Sequence, residues 1–219
     1  MRKAFIKFAV VGLIFCSALN ASARQQGAAK PQTAAEALAR YEQLMEAASD
    51  PLVKFYLLTK AAPTALSAEE TEKAKGYSYE LLKQAPAMRG DWNYGNAVHD
   101  ANIVLGHIAL KAGDVGEAKR LLLEAGKTPG SPQLNSFGPS MELAQALLEK
   151  GERKAVLEYF DECANFWKDR EGKLSEWKVV VSEGKVPNFG VYTRSLPDMW
   201  RFENWDRLEA NIRKAERAQ

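Results

Sequence analysis

Apolar residues recur at three- and four-residue intervals along most of the chain, a period that predicts helices rather than strands. Between Thr33 and Ala48 the positions Leu38, Tyr41 and Met45 share one face. Asp50 followed by Pro51 has the form of an N-cap with proline at the first helical position, and it opens a helix from Pro51 to Ala62. Ser67 with Glu70 has capping-box spacing and predicts a third helix reaching about Ala85, where Pro86 ends it. The strongest periodicity follows. Asn96 to Ala112 carries Val98, Ile103, Leu105, Ile108 and Leu110. Gly113 stands where a left-handed cap is needed, and Asp114 with Glu117 begins a helix that runs to Ala125 with Leu121 and Leu122 inward. A connector, residues 127–139, holds Pro129, Pro132 and Pro139, which keep it extended. Beyond it Pro139 opens a helix to Lys150, Gly151 breaks it, and Glu152 to Lys168 forms its partner. Past Lys168 the pattern loosens. A short helix places Leu174, Trp177 and Val181 on one face, and a last one from about Pro197 carries Trp200, Trp205, Leu208 and Ile212.

Two helices joined by a glycine turn thus occur twice, with the turn glycines Gly113 and Gly151 38 residues apart. In the first unit Leu105, Gly106, Ala118, Leu122 and Ala125 stand at set offsets. In the second these are Leu143, Ala144, Phe160 and Cys163, with Val156 where a small residue is usual. This pattern resembles the tetratricopeptide-repeat family, whose period is about 34 residues. It departs from the family where Asn102 and Ala109 replace the usual first-helix aromatics. The stretch from Asp91 to Pro139 is also similar to exported bacterial tetratricopeptide-like proteins, which supply no activity.

The resemblance implies an all-α fold, a stack of antiparallel helical hairpins forming an α-α superhelix. Gly106 and Ala118 would let the two helices of a hairpin approach, and Leu105 and Leu122 would fill the space between neighbouring pairs. The repeat domain would span 33–168, with atypical terminal repeats. Residues 169–219 would form a C-terminal extension whose aromatic cluster, Met199 to Trp205, covers the exposed end of the stack.

The first residues change the picture of charge. Arg2, Lys3 and Lys7 precede an apolar run from Phe8 to Leu19, followed by small residues at Ala21 and Ala23, the three-region form of a secretory signal peptide, 1–23, cleaved after Ala23. The 12 apolar residues fall short of the roughly 20 that a membrane span needs. No stable membrane insertion is expected after cleavage, and the location is periplasmic or secreted. Residues 24–32 read as a flexible tether. Taking Arg2, Lys3 and Lys7 from the 30 basic residues leaves 27 against 28 acidic, a net charge of −1. With no basic surplus, nucleic acid is not an expected partner. Only Cys163 remains of the two cysteines, so no internal disulfide can form.

No phosphate-binding loop, serine-nucleophile elbow or paired-cysteine zinc motif occurs. His99 and His107 are about 12 Å apart along one helix at a rise of roughly 1.5 Å per residue, too far to share a metal. Neither a metal nor a cofactor is therefore expected. Cys163 falls at a small-residue site and reads as a packing cysteine. An enzyme is not expected.

In tetratricopeptide-repeat proteins the first helices line a concave groove, and the resemblance puts its ligand-contacting positions on Asp100, His107, Lys111, Gln145 and Glu149. That groove suits a protein or peptide partner and a scaffold role. The alternative is a small-molecule-binding protein or enzyme with a pocket at Trp92, Tyr94, His99 and Phe137, beside the 127–139 connector. A closed pocket at His99 favours the second reading, and an open groove along Asp100, His107, Lys111 and Gln145 the first.

Overall fold

A computed structural model describes residues 31, 33–169, 171–193, 201 and 203–217. The expected leader and all of the expected tether except Pro31 lie outside the described residues, as do Pro197 and Trp200.

The helical periodicity is realised over most of the described residues. Among the described residues there are ten α-helices and no strand. They are α1 (Ala34–Ala47), α2 (Pro51–Ser67), α3 (Thr71–Gln84), α4 (Tyr94–Lys111), α5 (Val115–Gly126), α6 (Pro132–Phe137), α7 (Glu142–Glu149), α8 (Arg153–Cys163), α9 (Lys173–Ser182) and α10 (Trp205–Glu216). Single 3-10 turns lie at Ala85–Met88 and Gly190–Thr193. Side-chain caps set several starts: Thr33 accepts from the Glu36 amide, Asp50 from Leu52 and Asp114 from Glu117, each satisfying a backbone N–H that the helix itself leaves unpaired.

Several predicted boundaries shift, the helix expected to reach Lys168 ending at Cys163, and two of the shifts have clear physical reasons. The second helix does not stop at Ala62 but runs through Pro63 to Ser67, so Ser67 ends a helix rather than capping the next. The reversal is made instead by Glu69, which adopts a left-handed φ of 61°, while the Glu70 amide reaches back to the Ala65 carbonyl at 2.9 Å. The connector is also not extended. Ser131 accepts from the Leu134 amide at 3.0 Å and, with Pro132 behind it, nucleates α6. The following helix accordingly starts at Glu142 rather than Pro139.

Helices α2 and α3, α4 and α5, and α7 and α8 form antiparallel pairs that stack in order. In one layer α2 packs on α4 and α4 on α7; in the other α5 packs on α8. At one end α1 lies on α2 and is tied to α3 through Glu42, which accepts from Lys73 at 2.8 Å and Tyr77 at 2.6 Å. At the other end α9 packs on α8, with Trp177 stacked among Phe160, Trp167 and Phe189.

Gly106 serves the stack differently from expectation. A Cβ there would stand 2.2 Å from Leu143 Cδ2 and 3.5 Å from Leu121 Cβ, so the missing side chain chiefly makes room for the next hairpin.

The last helix returns to the start of the chain. Trp205, Leu208 and Ile212, one face of α10, are buried with Leu38 and Tyr41 of α1 and Leu57 of α2. The Trp205 and Tyr41 rings lie 4.7 Å apart, and the Arg40 guanidinium sits over Trp205 while its Nε donates to Glu209 at 3.0 Å. This helix begins at Trp205, eight residues later than the periodicity placed it.

Candidate functional site

The connector creates the site by docking on the start of α4. Gly95 and Gly130 meet so closely that a Cβ on Gly95 would fall 1.8 Å from the Gly130 carbonyl oxygen, a contact only glycine permits. Thr128 Oγ1 donates to the Gly95 carbonyl at 2.9 Å, and Ser131 Oγ donates to Asn96 Oδ1 at 2.6 Å. Asn96 Nδ2 in turn donates to Asn93 Oδ1 at 3.0 Å and to Gln133 Oε1 at 3.3 Å. The sequence "DWNYGN" and the "TPGSPQ" of the connector are thus the two halves of one joint.

Between this joint, α2 and the Gly190–Thr193 turn lies a cavity of about 570 Å³. Its aromatic lining is Tyr41, Tyr56, Trp92, Phe137 and Tyr192, and its polar lining includes Thr59, Asn93, Asn96, Asp100, Gln133 and Ser136. That size is ordinary for a small-ligand site. Trp92 is 50% exposed and Phe137 77%, unusual for rings of that size held on defined backbone. The backbone just after Phe137 packs closely, since a Cβ on Gly138 (φ 85°) would fall 2.7 Å from Trp167 and 2.8 Å from Tyr192.

His99 is buried against the cavity and held at both nitrogens. Nδ1 lies 2.8 Å from Asp100 Oδ1 and Nε2 3.2 Å from the Tyr159 hydroxyl, which donates to the Ser140 carbonyl at 2.9 Å. The ring therefore ties α4 to α8 and to the end of the connector. On the α2 side, Thr59 and Pro63 both line the cavity. Proline has no N–H, so the Thr59 carbonyl one turn earlier is deprived of its regular helical partner. Lys60 is compensated, with Glu203 Oε2 3.6 Å away and the Tyr56 ring centroid at 5.4 Å.

Of the residues expected at the two candidate sites, Trp92, His99, Asp100 and Phe137 come together here. Tyr94 does not. It packs on the cluster of Phe55, Leu58 and Ala97. His107, Lys111, Gln145 and Glu149 do not line this cavity. Gln145 donates to Glu149 at 3.3 Å, and Lys111 is exposed. His107 is half-buried: its Nε2 is buried without a hydrogen-bond partner, and burial lowers its pKa from 6.5 to about 4. The i, i+7 spacing aligns it with Asp100 in direction but carries no information on what packs over it. Burial likewise pushes the Cys163 thiol up and leaves it unreactive.

Tyr41, Tyr56, Thr59, Lys60, Pro63 and Tyr192 are site residues that the sequence pattern does not single out. Thr59 and Pro63, at i and i+4, carry a usable signal once Pro63 is placed inside a helix; Tyr192 lies in an irregular stretch that offers none.

Among the described residues no group of three or more His, Cys, Asp or Glu side chains is placed to hold a metal, and no helix is long and apolar enough to cross a membrane. Comparison with family models, curated proteins and solved structures gives no match, so any functional reading rests on the chemistry of the cleft itself.

Proposed function

We propose that the protein is an exported, non-enzymatic binding module of tetratricopeptide-like construction, whose ligand occupies the cleft at Trp92, Asp100 and the connector. Export is supported by the leader pattern of the first 23 residues. The place is that of the pocket reading, and the role, binding without chemistry, is that of the scaffold reading. One observation carries the proposal: two large rings, Trp92 and Phe137, are held largely exposed at the lining of a cavity that also presents amides, hydroxyls and a carboxylate. A few convergent polar groups in an aromatic-lined cleft are what small-ligand recognition requires. Binding rather than catalysis is favoured because the one imidazole there is tied at both nitrogens and the one described thiol is buried.

The test is thermal unfolding of the purified protein with a low-molecular-mass extract of its source cells. A ligand that binds only the folded state raises Tm by mass action. The extract is expected to raise Tm of the wild type and not of a folded Trp92→Ala, Asp100→Ala variant. An equal rise in both would place the ligand elsewhere.

A further inference from the structure

Resting on the reading of the cleft as the ligand site, we infer that its ligand class is a neutral oligosaccharide.

The charges argue first. The one described cation of the lining, Lys60, already has a counter-charge in Glu203 at 3.6 Å, and Asp100 Oδ1 lies 2.8 Å from His99 Nδ1. Among the described lining residues a phosphate or a peptide carboxylate would find no unpaired cation to meet it, and an unmatched ion in a partly dry cleft is costly. An anionic ligand is therefore disfavoured.

The spare hydrogen-bonding groups argue next. Gln133 Oε1 is taken by Asn96, which leaves the Gln133 NH2 end to donate into the cleft. Asp100 uses Oδ1 on His99, which leaves Oδ2 to accept. On the opposite side Thr59 and Pro63 line the cleft, and Pro63 leaves the Thr59 carbonyl without its regular helical partner. Donors and acceptors arrayed around one cavity suit vicinal hydroxyls, each of which both donates and accepts.

The rings complete the match. Trp92, 6.0 Å from Tyr56, and the exposed Phe137 offer flat apolar surfaces beside those polar groups. A pyranose has that division, C–H groups on its faces and hydroxyls around its edge. Peptide recognition by strand addition needs a free strand edge, and among the described residues there is no strand. An amphipathic helix needs a continuous apolar stripe, which Asn93, Asn96, Asp100 and Gln133 interrupt.

The experiment is isothermal titration of the purified protein with cellohexaose, chitohexaose and maltohexaose, and with a proline decapeptide, the peptide best suited to an aromatic-lined groove. Saturable binding of at least one hexaose is expected. Trp92→Ala, Phe137→Ala and Gln133→Ala, each shown to be folded by circular dichroism, should each weaken it by about tenfold. The inference is overturned if none of the three hexaoses binds, if hexaose binding is unchanged in the Trp92→Ala, Phe137→Ala double variant, or if the decapeptide binds more tightly through Trp92. The cleft reading can outlive that failure: a Tm rise with cell extract that requires Trp92 and Asp100, without hexaose binding, leaves the site standing and discards only the sugar.

Discussion

Gly95 and His107 show how single positions decide what α4 can do. Gly95 is required by contact: an alanine Cβ would lie 1.8 Å from the Gly130 oxygen, so Gly95→Ala forces the connector off α4. A loss of about 3 kcal/mol or more in urea unfolding is expected, at the upper end of overpacking because the clashing atom is backbone. Ligand binding should fall with it. His107 acts through pH. Its folded-state pKa of about 4 lies below the ordinary 6.5, so the unfolded chain takes up the proton first as pH falls. Stability is full above pH 6.5, is lost between 6.5 and about 4, and changes no further through this group below that. The loss is on the order of 3 kcal/mol. His107→Leu should flatten this acid limb, as read by unfolding midpoints across that range. Both residues are visible in the sequence, but only as types: a glycine near an aromatic pair, a histidine on a helix face. Their roles depend on Gly130 and on whatever covers α4, which lie outside the local pattern.

Helices α4 and α5 with their caps are legible because every signal agrees: apolar period, the Asp114 cap and the left-handed Gly113. The connector is not, because proline at 132 reads equally as a brake on helix or as the first residue of one. What decides is Ser131, whose hydroxyl both caps α6 and donates to Asn96. Ser131→Ala should therefore lower stability by about 1 kcal/mol for the cap, with more lost through Asn96, and should weaken ligand binding by releasing Gln133. Circular dichroism and titration separate the two effects. Pro63 misleads in the opposite direction. A helix ended at Ala62 omits the last turn of α2, and with it Pro63 and Thr64 of the cleft lining.

Across the whole molecule, the stack of hairpins follows from periodicity, whereas closure of the chain onto itself does not. Trp205, Leu208 and Ile212 advertise an apolar face, yet nothing local to α10 names α1 as its partner. The Tyr41–Trp205–Arg40 contact and the Arg40–Glu209 pair join segments far apart in sequence. Trp205→Ala is expected to destabilise by roughly 3–5 kcal/mol, the usual range for emptying a buried tryptophan site. A double-mutant cycle with Tyr41→Phe, which keeps the ring, should show little coupling, and one with Tyr41→Ala should show about 1 kcal/mol or more.

Ligand binding where the connector meets α4 is tested most directly by hydrogen exchange of the wild-type protein with and without the stabilising cell extract, since amides under a ligand open less often. Slowed exchange is predicted in residues 91–100 and 128–140, with none at the far end of α4 or in α7. Slowing confined to the stretch around His107 and Lys111 and to Gln145–Glu149 would contradict the account and return the site to the open groove.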